Sequence, residues 1–246
     1  MIGNRVDVST ADGVIDCYLF TPDGAGQWPA IVVYMDAFGI RPELGEMAQR
    51  LASSGYVVAL PNLYYRTGPF PPFDKRAVTA DGPERDRFKG MIQSINSAMV
   101  MRDTAAVIEM LDGQPAVRRG AMGTLGYCMG GGYALAAAGT FPDRIVAAAS
   151  FHGGSLATDK PDSPHTFAGR MQAKIYVGVA ETDPSFPDEQ KIRLERALSE
   201  AGVDYVLETY VGAKHGFAVN GHLVYDHDAA ERHWTALQSL FAETLH

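Results

Sequence analysis

Only two of the 246 residues are cysteine, Cys17 and Cys128, and they stand far apart and outside any C-x-x-C spacing. That scarcity excludes a disulfide framework and a cysteine-based zinc site, and it fits a reducing cytosol. No apolar run approaches the roughly 18–20 residues of a membrane span. The polar start, MIGNRVDVSTADG, lacks the apolar core of a signal peptide. Positive charge is also scarce: 21 Lys and Arg face 29 Asp and Glu, a formal net charge of −8. There is no basic footprint for nucleic acid or for an anionic membrane. Internal repeats, low-complexity tracts and linkers are absent by eye. The expectation is one domain over 1–246, cytoplasmic, with no nucleic-acid or membrane partner.

What is present is apolar and alternating. The chain is 46% hydrophobic, enough for a sizeable core. RVDVS and VIDCYLF flank Ala11-Asp12-Gly13 and read as a hairpin. AIVVYM (30–35) is a β-branched run of the kind buried on both faces of a sheet. Residues 42–54 have helical spacing, with Pro42 at the entry and Gly55 just beyond the end. YVVAL (56–60) is the next strand, and 61–83 is a long Pro-, Gly- and Tyr-rich loop. Helical patterning over 84–111 breaks near 94–97. Strands at 121–127, 145–151, 174–180 and 204–211 then alternate with helices at 129–140, 187–201 and 225–245. Such βα alternation predicts an α/β fold with a mostly parallel central sheet and helices on both faces.

LGYCMGGGY (125–133) sits at a strand-to-helix junction, at the sheet edge where α/β folds bind ligands. A dinucleotide fingerprint fails because Cys128 stands where the second glycine is required. A Walker loop fails because Gly131 is followed by Gly132 and Tyr133. Gly126-Tyr127-Cys128-Met129-Gly130 does fit a G-x-C-x-G variant of the nucleophile elbow. Small residues two before and two after allow backbone to pass close by, and the helix start aims unpaired N–H groups at the sulfur. The Met129 N–H is a candidate oxyanion donor. The plain alternative is a small buried cysteine at a glycine-rich helix start.

Elbow hydrolases carry their acid and base later in the chain, in that order. The loop AETDPSFP offers Asp183, with Glu181 as second choice, and VGAKHGF offers His215. In this reading Cys128 attacks, His215 moves the proton and Asp183 orients the imidazole. Separately, Asp183 reads as a helix cap and His215 as a polar loop residue. The required order of all three favours chemistry.

These motifs together, with PNLYYR (61–66) and SFHGG (150–154), resemble the dienelactone hydrolase family of α/β-hydrolases from about Arg5 to Phe241. The resemblance implies the α/β-hydrolase fold and a Cys-His-Asp hydrolase of small esters or lactones, with no cofactor and no metal. In that family a glutamate after the third strand hydrogen-bonds the resting cysteine and gates it. Asp36 occupies that position here, one methylene shorter, and the N–H of the next residue, Ala37, is the second oxyanion donor. Simple capping of the strand end is the other role for Asp36. The family also binds a substrate carboxylate with two arginines. Arg87, in Glu84-Arg85-Asp86-Arg87, matches one, although it also reads as a solvated helix-start residue; Val219 stands at the other. Losing one such arginine removes about 1.5–3 kcal/mol of charge-assisted bonding. The expected substrate is therefore a less charged or differently shaped ester, lactone or thioester, in a pocket lined by Phe38, Tyr64, Tyr65 and the loop 68–73. The other readings are a small-molecule-binding or thiol-redox protein on the same fold, or a thioesterase or acyltransferase; the chain is a monomer or homodimer. His152 is expected to be a packed loop histidine. His222, Asp226 and His227 are expected to be surface residues at a helix start, and Cys17 a buried, inert thiol.

Overall fold

The structure, a computed structural model, describes residues 3–246. One eight-stranded sheet runs in the order β1-β2-β4-β3-β5-β6-β7-β8. β1 (Asn4–Thr10) and β2 (Gly13–Phe20) form the antiparallel hairpin, which joins β4 (Val57–Pro61) antiparallel. From β4 onward through β3 (Trp28–Tyr34), β5 (Val117–Tyr127), β6 (Ile145–Phe151), β7 (Lys174–Thr182) and β8 (Tyr205–Lys214), all neighbours are parallel. Parallel strands need crossovers, so the helices α1 (Pro42–Ala52), α2 (Pro83–Gln93), α3 (Ser97–Asp112), α4 (Met129–Thr140), α5 (Asp188–Glu200) and α6 (His227–Leu245) alternate with them. The break expected near 94–97 is real: Asn96 caps α3 by accepting the Met99 N–H at 3.0 Å. β5 starts four residues earlier than its apolar run, because its first turn, Arg118 to Ala121, is exposed.

α4 shows why the centre of the sheet can be so tightly built. Its sequence, MGGGYALAAAGT, is small along almost its whole length, and nine of its residues are buried. Small side chains let the helix axis approach the β5–β6 surface closely. Among the described residues no helix is long and apolar enough to cross a membrane.

Beneath β5 and β6 the core is aromatic. Phe151 lies edge-on to His233, with ring centroids 4.6 Å apart, and Tyr127 stacks on Phe151. His233 Nδ1 is 2.6 Å from the Ala230 carbonyl, which can only accept, so Nδ1 carries the proton and Nε2 accepts from the Tyr127 hydroxyl at 2.9 Å. Burial holds the ring neutral, with its pKa lowered to about 4. The unfolded chain binds this proton below its ordinary value of 6.5, whereas the folded chain does not. Stability is therefore lost as pH falls from 6.5 toward 4, by roughly 3 kcal/mol for this residue. Urea unfolding at pH 7, 5.5 and 4.5 measures the slope, and His233→Gln should flatten it by close to one proton. Parallel curves for the two proteins would refute the assignment.

Candidate active site

Five strand ends converge on one edge of the sheet, and each delivers one part of the site. Cys128 follows β5 directly and is the N-cap of α4, with φ 55° and ψ −121°. A non-glycine residue held there stores backbone strain of order 1–3 kcal/mol, and the surrounding glycines make the corner possible. A β-carbon on Gly126 would fall on the Gly130 carbonyl, and one on Gly130 would lie 2.6 Å from the Met35 carbonyl. The cysteine is partly exposed, unlike Cys17, whose buried thiol is pushed up to about 12.

His215 follows β8 and presents Nε2 to the Cys128 sulfur at 3.1 Å. Its Nδ1 lies 2.7 Å from Asp183 Oδ2, at the end of β7. The second oxygen, Oδ1, accepts from the Ser185 hydroxyl at 2.6 Å and the Ser185 N–H at 2.9 Å, so the carboxylate is held at both ends. Burial works against charge on His215, but the Cys128 sulfur and Asp183 outweigh it and push the pKa up to about 10. Burial likewise opposes charge on Asp183, and the hydrogen bond from His215, the charge on that ring and the two bonds from Ser185 together offset it, leaving the carboxyl below its usual range. Asp183 does not cap α5, whose N-cap is Pro187. Glu181 turns away and accepts the Gly212 N–H at 2.9 Å.

Two backbone N–H groups flank the sulfur's corner. Met129 opens α4, and Ala37 follows β3; neither N–H has a protein acceptor among the described residues. The Ala37 loop is propped from below by Tyr64, whose hydroxyl donates to the Ala37 carbonyl at 3.1 Å.

Several predicted site residues are placed elsewhere. Asp36 makes no hydrogen bond to Cys128. It is fully buried, its oxygens pair with the Arg41 guanidinium at 2.6 and 2.7 Å, and it also meets His222 at 3.1 Å and the Phe38 N–H at 3.0 Å. Burial alone would raise its pKa; His222 and Arg41 instead hold it well below the carboxylate range. With both oxygens occupied, it does not hydrogen-bond the resting cysteine as the resemblance implied. Tyr64 has no exposed surface and is a buttress of the Ala37 loop, not a lining residue. Tyr65 does line a cleft beside Phe38, although its hydroxyl turns to Thr10 and Asp103, both at 2.9 Å. Arg87 binds Glu84, the carbonyls of Pro71 and Pro72 and the Phe73 ring, so it braces the 68–73 loop instead of offering a free guanidinium. Phe38 remains at the cleft, between Phe73, Phe88 and His222. A cleft of about 630 Å³ runs beside it, lined by Ile40, Arg41, Tyr65, Phe70, Phe73 and Lys75 among others. Neither Cys128 nor His215 lines that cleft.

Of two further histidines, His222 departs from its expected surface position and His152 is packed as expected. His222 joins the Asp36 cluster, whereas Asp226 caps α6 and His227 is exposed as expected. His152, at the end of β6, is buried with φ 39°, and packs edge-on to His215 with centroids 5.3 Å apart. Neither of its ring nitrogens has a partner among the described residues, and burial, aided by the nearby His215, lowers its pKa well below the usual value. The one available signal was position: His152 directly follows a strand that ends at the cleft. Among the described residues no three His, Cys, Asp or Glu side chains form a metal-holding group.

A parallel sheet with antiparallel entry strands, a strained corner after β5 and a histidine after the last strand define an α/β-hydrolase. A Klebsiella pneumoniae structure provisionally named dienelactone hydrolase shares the fold, with TM-score 0.86 at 21% identity over 98% of each chain. The chain belongs to the dienelactone hydrolase family, whose model matches residues 15–245, and it is a carboxylic ester hydrolase. It is 29% identical to a Synechocystis protein provisionally named carboxymethylenebutenolidase, across 93% of this chain and 91% of that one. A Bradyrhizobium protein provisionally named 2-oxo-3-(5-oxofuran-2-ylidene)propanoate lactonase is 27% identical, across 93% and 89%. The structure of a dienelactone hydrolase-like promiscuous phosphotriesterase, P91, from metagenomic libraries matches with TM-score 0.81 at 26% identity, over 99% of this chain and 98% of that one.

Proposed function

We propose that the chain hydrolyses a small ester or lactone through a thioacyl intermediate on Cys128, with His215 as acid and base and Asp183 orienting it. The contact of His215 Nε2 with the sulfur at 3.1 Å carries this reading. With its pKa raised to about 10, His215 is protonated at neutral pH and faces the sulfur as an imidazolium. Sulfur attacks the carbonyl carbon, and the carbonyl π electrons move to oxygen, where the N–H groups of Met129 and Ala37 receive the charge. Collapse of the tetrahedral adduct expels the alkoxide, which takes the Nε2 proton, and leaves a thioester. Water then gives its proton to His215 and attacks the thioester, and the sulfur departs as a thiolate beside the renewed imidazolium. A lactone follows the same course, with its alkoxide still tethered to the acyl group.

The substrate expected is a small ester or lactone without a required second carboxylate, because Arg87 is occupied and Val219 is buried. Arg87→Ala tests this. It should lower stability modestly and change kcat/KM for carboxylated and neutral esters by the same factor; a loss confined to carboxylated esters would restore Arg87 as a substrate contact. The central test is intact mass after brief mixing with p-nitrophenyl acetate. One acetyl group should be trapped on Cys128 and disappear on standing. Acetyl found on another residue, or none at all while turnover proceeds, would refute the mechanism.

Asp183→Asn keeps the shape of the carboxyl but removes the charge that holds the Nδ1 proton in place. In serine triads the equivalent change costs about 10⁴ in kcat. The loss expected here is smaller, roughly 10²–10³, because Ser185 also lies 3.1 Å from Nδ1 and the sulfur itself favours the imidazolium. Steady-state kcat at pH 7 reads it directly.

A further inference from the structure

The Asp36 cluster plays no part in the proton and acyl transfers above, yet it joins the two halves of the site. Arg41 grips Asp36 with both Nη atoms, and its Nη1 also donates to the Gly39 carbonyl at 3.1 Å. Asp36 in turn accepts the Phe38 N–H, so residues 36–41 close into a compact loop around Ala37. His222 belongs to the other half, seven residues beyond His215. Its Nε2 lies 3.0 Å from Arg41 Nη2 and 3.1 Å from Asp36 Oδ2. Its ring stands on Phe38 with centroids 5.1 Å apart, and its Nδ1 is 3.1 Å from where a β-carbon on Gly216 would lie. Gly216, at φ +104°, is the neighbour of His215. One imidazole therefore touches both the loop carrying the Ala37 N–H and the backbone beside the base.

Building on the proposed function, we propose that Arg41 and His222 are positioning residues that clamp the Ala37 oxyanion loop to the His215 segment. Neither touches the reacting atoms. Their effect is to keep the distance between an oxyanion donor and the base constant, and displacement of about 1 Å in such a group costs on the order of 10²-fold. Removing one oxyanion donor altogether costs about 10²–10³.

Two reactions of the same sulfur separate this role from others. Hydrolysis of p-nitrophenyl acetate builds negative charge on a carbonyl oxygen and needs the oxyanion donors. Alkylation by iodoacetamide displaces iodide from a saturated carbon and builds no oxyanion. His222→Ala should lower kcat for hydrolysis by roughly 10–100-fold, with KM little changed and the alkylation rate held within about twofold. His222→Gln, whose amide offers both a donor for Asp36 and an acceptor for Arg41, should recover most of that loss. Arg41→Lys keeps the charge but not the two-pronged grip, and should reproduce the selective loss if His222→Ala fails to fold. Hydrolysis at the wild-type rate in His222→Ala would overturn the proposal. So would hydrolysis and alkylation falling together, because the effect would then run through the sulfur and its base. Failure of the underlying function looks different: wild-type turnover would then survive Cys128→Ala.

Discussion

Cys128→Ala is expected to abolish ester hydrolysis, by about 10⁴-fold or more in kcat/KM for p-nitrophenyl acetate, with the fold intact. The magnitude follows from what remains. Removing the sulfur deletes the covalent route entirely, so the residue must rely on binding and on the oxyanion donors acting on water. In serine hydrolases stripped of their triad those contribute roughly 10³–10⁴ over water, out of a far larger total. Little stability should be lost, because Cys128 is partly exposed at its corner and its side chain is small. The replacement even removes the counterpart that raises the His215 pKa, so His215 should titrate lower in the variant; histidine resonances across pH 5–10 would show this. A variant that turns over at the wild-type rate would remove Cys128 from the chemistry. A companion measurement addresses the pairing. If His215→Ala leaves iodoacetamide alkylation of Cys128 unchanged from pH 5 to 9, histidine does not activate the sulfur.

The second large effect concerns folding. Gly126→Ala should prevent the elbow from closing, because the added methyl would occupy the position of the Gly130 carbonyl, which is backbone and cannot rotate away. Gly130→Ala meets the carbonyls of Tyr34 and Met35 in the same manner. Both collisions lie where β3, β5 and α4 meet, the most densely buried part of the sheet. Interiors packed at crystal density transmit such strain instead of absorbing it. Losses of about 4 kcal/mol or more are expected, enough to leave most of either variant insoluble. Gly90→Ala, with nothing within 4 Å of its added carbon and a place in the middle of α2, is the control and should be neutral or slightly stabilising. Thermal unfolding of the soluble fraction distinguishes them.

The two predictions depend on different kinds of information. The elbow could be read directly: Gly126, Cys128 and Gly130 are close in sequence, and their spacing has one steric explanation. The candidate acid and base followed, because topology forces successive parallel strands to end on one edge, so loops after β7 and β8 must arrive beside the loop after β5. The strand and helix order was legible for the same reason, since hydrophobic period is a local property. The helix break near Asn96 belongs to the same class.

Partner choice was a different matter. Asp36 was expected beside the sulfur because it matches the position of a family glutamate, yet a guanidinium five residues on and an imidazole 186 residues on hold it elsewhere. Arg87 was expected to be free, and the carbonyls of Pro71 and Pro72 took it. Spacing along a chain constrains which backbone atoms can meet; it says little about which of several polar groups a flexible side chain will choose. That choice is made by desolvation. A carboxylate taken out of water must find every available donor, and which donors are available is known only after distant loops have packed. From its amino acids alone this protein has its sheet, its corner and the order in which Cys128, Asp183 and His215 reach one edge. Only the folded chain decides that Asp36 pairs with Arg41 and that His222 reaches it, because burial, not sequence distance, sets the cost of leaving a charge unpaired.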